Sequence, residues 1–114
     1  MRPIPKSLLP HTVILHKKVS SGGFYDEASL DSGTKISYVR MEPSSKIVRD
    51  KNNAEIQLSA TLFYDCKNSR PCNMSFSADD IVSFNGQKHR VQVVEPLYDR
   101  TKLHHYELGL IKYA

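Results

Sequence analysis

Residues 81–94 read IVSFNGQKHRVQVV, and the Asn85-Gly86 pair at their centre decides the fold class. Both central positions of a two-residue hairpin turn need a left-handed backbone, which Asn and Gly adopt at least cost, and the flanking apolar residues alternate as a half-buried ribbon requires. The turn also sets a register, placing Phe84 opposite Gln87 and Val82 opposite His89. Val82, Phe84, His89, Val91 and Val93 then share one face, and Ser83, Lys88, Arg90 and Gln92 share the other. That division predicts a hairpin with one side on a core and the other in water.

Outward from the hairpin, the chain reads as short strands separated by turn chemistry. Residues 11–19 form a first strand with Val13, Leu15 and Val19 on one side, broken by SSGG at 20–23. Residues 35–42 (KISYVRME) form a second, ended by Pro43. Residues 55–65 are the most regular amphipathic strand: Ile56, Leu58, Ala60, Leu62 and Tyr64 lie on one face, opposite Gln57, Ser59 and Thr61. Phe63 stands on the outer face, either as an ordinary exposed aromatic or as a contact for a neighbouring subunit. Ser77 before Ala-Asp-Asp starts either a single helical turn or a plain turn. Val94-Glu95-Pro96 ends the second hairpin strand, residues 97–102 cross over, and residues 103–112 form the last strand. Six strands with no useful helical period predict an all-β fold, a small barrel or sandwich; closure into a barrel removes exposed edges.

Between the second and third strands, residues 44–53 (SSKIVRDKNN) are polar and lack a period, and are expected to be a long exposed loop. Lys46, Arg49 and Lys51 are its bases.

At 114 residues the chain has room for a single domain, 1–114, which begins with an extended basic arm over 1–10. A charged fraction of 25% against 39% hydrophobic residues is that of a globular protein, and no apolar run approaches the ~18 residues that span a membrane. Prolines 3, 5 and 10 interrupt the N-terminus, so a secretory signal is not expected. The net charge of +4 is unevenly spread: residues 1–20 carry Arg2, Lys6, Lys17 and Lys18 and no acid. Such a basic lead segment either solubilises the chain or meets an acidic partner, and Arg2 and Lys6 join Phe63 as candidate subunit contacts.

No catalytic constellation is found. The chain lacks G-x-S-x-G, Walker, G-x-G-x-x-G, H-E-x-x-H and EF-hand patterns, so neither an enzyme, nor a cofactor, nor a metal is expected. Cys66 and Cys72 make a C-x5-C pair without further ligands, and free thiols are expected, with a short-loop disulfide as the alternative. Adjacent His104 and His105 point to opposite faces of a strand and cannot easily chelate one ion. Strict alternation turns His104 inward with Tyr106, Leu108 and Leu110, and sets His105 beside Glu107 outside. Phe24 and Tyr25 lie among acids, and no dense interleaving of bases and aromatics marks a nucleic-acid reader.

Read together, IPKSLLPHTV (4–13), ATLFYDCKNSRP (60–71), VSFNGQKHRVQVVEPLYD (82–99) and LHHYELGLI (103–111) resemble the tailed-phage minor capsid proteins, grouped with the siphophage head-tail connectors, or head-completion (stopper) proteins. The resemblance implies a virion β-barrel that is assembled in the bacterial host. It would join a homo-oligomeric ring, roughly twelve-fold by that resemblance, beneath the portal and adaptor. The ring would close the DNA-filled head and offer a platform to the tail, its subunits monomeric when free. By position, 44–53 matches the connector loop that projects toward the channel, which would bring Lys46, Arg49 and Lys51 to packaged DNA without sequence preference. A tail-completion or tail-terminator protein is the alternative within phage assembly; a small nucleic-acid-binding barrel is the alternative of a different class.

Overall fold

The computed structural model describes residues 2–17, 33–50 and 52–113. Val19, the 20–23 break, Phe24, Tyr25 and Lys51 lie outside the described residues. Among the described residues, eight strands follow in chain order: β1 (His11–His16), β2 (Thr34–Pro43), β3 (Ile47–Arg49), β4 (Glu55–Gln57), β5 (Ala60–Asp65), β6 (Ile81–Phe84), β7 (Gln87–Asp99) and β8 (Lys102–Lys112). Six of them close an antiparallel barrel in the order β1-β2-β5-β8-β7-β6, and β3 and β4 make a separate two-stranded sheet. The fold is all-β, and the only helical segment among the described residues is a 3-10 turn, Lys6–Leu8.

The β6–β7 hairpin has the expected register, with Phe84 opposite Gln87 and Val82 opposite His89. Asn85 and Gly86 take φ of 51° and 76°, the left-handed pair that this turn needs. Inside the barrel, Val13, Leu15, Ile36, Val39, Leu62, Tyr64, Val82, Val91, Leu108 and Leu110 are buried as one cluster. Burying each such aliphatic side chain contributes about 1.5–3 kcal/mol. Phe76 and Tyr106 close one side of the cluster, their rings 5.2 Å apart and edge to face, and Phe76 meets Tyr64 at 5.1 Å in the same manner.

Three bulges depart from simple alternation. In β2, Val39 pairs with His11 and Ser37 with Thr12, which leaves Tyr38 as the extra residue at φ 58°. Ile36 and Val39, three apart, can therefore both enter the core. In β7, Val91 pairs with Leu110 and Val93 with Gly109, so Gln92 is extra. This corrects the expected facing of the hairpin: Val94 replaces Val93 against the core, and Val93 moves outside. In β8, Leu97 faces His105 and Tyr98 faces Leu103, which makes His104 the extra residue. Bulges bend and twist strands as barrel closure demands.

Other boundaries also differ from the expectation. Residues 55–65 are two strands, β4 and β5, separated at Leu58 and Ser59, whose N–H groups donate to the Lys46 and Leu110 carbonyls at 2.8 Å each. Leu58 is buried, yet it packs outside the barrel against Val93, over Gly109. β7 continues through Pro96 to Asp99 and turns directly into β8, with no crossover. Residues 77–80 make a plain turn, in which the Asp80 N–H donates to the Ser77 carbonyl at 3.2 Å.

Candidate functional site

Within residues 44–53 the expected loop is interrupted by a strand: β3 pairs with β4 as Ile47–Gln57, Val48–Ile56 and Arg49–Glu55. The turn between them is fastened by Asp50, whose Oδ1 accepts from the Asn52 and Ala54 N–H groups at 2.9 Å each. Asn53 takes φ 62° and donates its N–H to the Asp50 carbonyl at 2.9 Å. Alternation was obscured because each strand has only three residues, although the β-branched IVR run before Asp-x-Asn-Asn carried the signal. Lys46 and Arg49 are both paired within the chain. Lys46 Nζ lies 3.6 Å from Glu95 Oε1 on β7, while the Arg49 guanidinium contacts Glu55 Oε1 at 3.2 Å and the Asn53 carbonyl at 3.0 Å. All four side chains stay largely in water. Val48 and Ile56 share a half-buried face, and Ile47, on the other, is 58% exposed.

The N-terminal arm lies against the outside of the barrel. Ile4 is clamped at both backbone groups: its N–H donates to Asp65 Oδ1 at 3.1 Å, and its carbonyl accepts from Asn68 Nδ2 at 2.7 Å. Asp65 is fully buried, and its Oδ2 accepts from the Lys67 and Asn68 N–H groups at 3.1 and 2.8 Å. One carboxylate thus ties the arm to the turn after β5. Lys6 sits over the Tyr38 ring, 4.6 Å from its centroid, and Arg40 Nη1 donates to the Leu8 carbonyl at 3.3 Å. Ile4, Leu8 and Leu9 of the arm line an open notch of about 350 Å³ with Arg40, Glu42 and Phe63. Phe63 therefore has apolar company from its own chain, and Leu9 is buried. Phe63 lines this notch, Lys6 lies over Tyr38 and the Arg2 carbonyl meets His104 on β8, whereas Lys46 and Arg49 lie with the hairpin.

The polar groups elsewhere serve the fold. His11 Nδ1 accepts from the Met41 N–H at 3.0 Å, and the ring stacks edge-on against Phe84 at 4.9 Å. Tyr64 Oη donates to the Pro71 carbonyl at 2.5 Å. Cys66 and Cys72 are free thiols, and burial pushes the Cys66 thiol above its ordinary value. Burial likewise raises Tyr64 and Tyr106. A protonated, half-buried thiol is a poor nucleophile at neutral pH. No group of three His, Cys, Asp or Glu suited to a metal is found among the described residues. The bulge at His104 overrides the expected opposition of the two histidines: their rings meet, Nδ1 to Nδ1, at 2.7 Å. His105 lies beside Glu107 as expected, Nε2 to Oε2 at 2.9 Å.

Among known protein families, the sequence profile described as minor capsid protein matches residues 5–110. The chain belongs to the minor capsid protein family. It is accordingly a structural component of the phage virion. No curated protein and no solved structure matches this minor capsid protein. None of the helices among its described residues is long and apolar enough to cross a membrane.

Proposed function

We propose that this minor capsid protein works by assembly in the head-tail connector. Copies form a ring below the portal and adaptor, close the DNA-filled head and present a platform to the tail. The observation that carries the reading is the β3–β4 hairpin, a ribbon outside a closed barrel. A barrel has no free edge through which copies add strand to strand, and an isolated two-stranded ribbon is marginally stable in water. Ile47 on one side of this ribbon and the half-buried Val48–Ile56 pair on the other suit a part that finds its cover in an assembly. A ring needs a heterologous contact, in which one face of a subunit meets a different face of its neighbour. The N-terminal arm with Arg2 and Lys6, and the notch that Phe63 lines beside it, are the second candidate contact.

The contact with packaged DNA is non-specific and weak per copy. Residues 44–57 carry three bases against two acids, one positive charge net. Lys46 and Arg49 already lean on Glu95 and Glu55. A dozen or so copies around a channel add their fields, so retention of DNA is collective and falls with salt.

Electron microscopy of the assembled neck tests this reading. Barrel-sized density in a ring directly under the portal and adaptor, with the hairpin directed inward or onto a neighbour, is the expected result. Density confined to the far end of the tail tube assigns the protein to tail termination instead, and its absence from the neck overturns the proposal.

A further inference from the structure

Where the arm meets β8, four groups stand in an unbroken row of hydrogen-bond contacts. Glu107 Oε2 lies 2.9 Å from His105 Nε2, the two Nδ1 atoms of His105 and His104 are 2.7 Å apart, and His104 Nε2 is 2.6 Å from the Arg2 carbonyl oxygen. The protons of this row can be counted. A carbonyl only accepts, so His104 Nε2 carries a proton. Two ring nitrogens in contact share one proton between them. An ionised carboxylate only accepts, so His105 Nε2 carries another. That makes three protons on two rings, and two neutral imidazoles hold only two. If Glu107 is protonated instead and donates to His105 Nε2, both rings are neutral and the total is unchanged. In either arrangement the closed row holds one proton more than an ionised glutamate with two neutral histidines.

We propose that Glu107, His105 and His104 form a one-proton latch on the start of the N-terminal arm. With the extra proton present, every contact in the row has a donor and an acceptor, and Arg2 is held against the barrel. When that proton leaves, one contact pairs two lone pairs. The row then opens, and the freed polar atoms turn to water. Relative to the open row with two neutral rings, closure lies on the acid side, because the closed state binds one proton more; a further proton makes both Nδ1 atoms donors and opens the row again.

Other charges bear on the same row. Arg2 lies on the arm, and Asp65, Cys66 and Lys67 come from β5 and its turn. Asp99 comes from β7 and Lys102 from β8, and these five groups line one pocket with His104 and Pro3. Glu95 on β7 stands opposite Glu107. Lys46 Nζ lies 3.6 Å from Glu95 Oε1. The Ile4 clamp on Asp65 and Asn68 lies one step further along the arm, so opening is confined to the residues before it.

The test is nuclear magnetic resonance of the full chain across pH 5–9, following the ring nitrogens of His104 and His105 and the carbonyl carbon of Arg2. The ratio of free to held Arg2 should rise by up to tenfold per pH unit as the extra proton is lost on the alkaline side, the slope of a single proton. In Glu107→Gln the amide N–H donates to His105 Nε2, which completes the row with two neutral rings. That variant should stay closed at the alkaline pH values where the parent is open. His104→Ala should be open throughout, with the core signals of Leu108 and Leu110 unmoved. An Arg2 signal indifferent to pH, or to His104→Ala, overturns the latch, as does a Glu107→Gln variant that opens along the parent's curve.

Discussion

The N–H of Ile4 donates to a carboxylate oxygen of Asp65 at 3.1 Å, across 61 positions of sequence, and the receiving side chain has no exposure to water. A buried carboxylate is tolerated because three backbone donors from the arm and the following turn supply what water would have supplied. Removing it strands all three.

Asp65→Ala should therefore cost about 3 kcal/mol, the range for buried donors left without acceptors, and lower the melting temperature by roughly 10–15 °C. The arm should lose its dock in the same variant. Thermal unfolding, together with amide exchange at Ile4, checks both effects.

Gly109 marks a close approach rather than a turn. A Cβ there would lie 2.5 Å from Val93 Cγ1 and 2.8 Å from Leu58 Cδ1, both packed on the outer side of the barrel. Gly109→Ala should destabilise by about 2 kcal/mol through overpacking. Adding Val93→Ala should return part of that loss, because the crowded methyl is then gone. A double-mutant cycle in urea measures the coupling, and strict additivity would show that the two side chains do not compete.

The hairpin bases should matter to DNA and hardly at all to stability. Lys46 and Arg49 make exposed pairs, which contribute between nothing and about 1 kcal/mol each. Changing Lys46, Arg49 and Lys51 together to Gln should leave the unfolding midpoint nearly unmoved while reducing DNA retention in assembled particles. The free protein should bind DNA weakly and lose that binding as salt rises. Tight binding that persists in high salt would contradict the connector reading and favour a dedicated nucleic-acid binder.

Alkali should weaken the fold. Burial raises the Cys66 thiol above 9.0 and the Tyr64 and Tyr106 hydroxyls above 10.0, so the folded state keeps protons that the unfolded chain releases. The stability tied to these groups is complete below the unfolded values and is lost as pH rises from about 9 toward the folded values. Urea midpoints at pH 8 and 10.5 check the sign. At neutral pH, alkylation should reach exposed Cys72 well before Cys66.

The barrel was legible because its strands are long enough to show a period of two. Asn85-Gly86 fixed a turn and a register, and Val13, Leu15, Leu62, Tyr64, Leu108 and Leu110 occupy the core that alternation assigned to them. Family membership was legible from the order of the quoted segments, and the profile match over 5–110 bears it out. The β3–β4 ribbon escaped because three-residue strands carry no measurable period, and its turn was read as loop chemistry. Val93 and His104 were misplaced for one shared reason: a bulge adds a residue and reverses the facing of the rest of its strand, while leaving composition unchanged.

Sequence alone therefore determined the all-strand class, the central hairpin and most of the interior, since alternation and turn propensity act between neighbours in the chain. Only the tertiary structure decided where the arm docks, which charges Lys46 and Asp65 meet, and that His104 touches His105. The histidine contact depends on the β8 bulge; the others depend on barrel closure, which brings distant segments within 3–4 Å of one another, and no local pattern records which segments will meet.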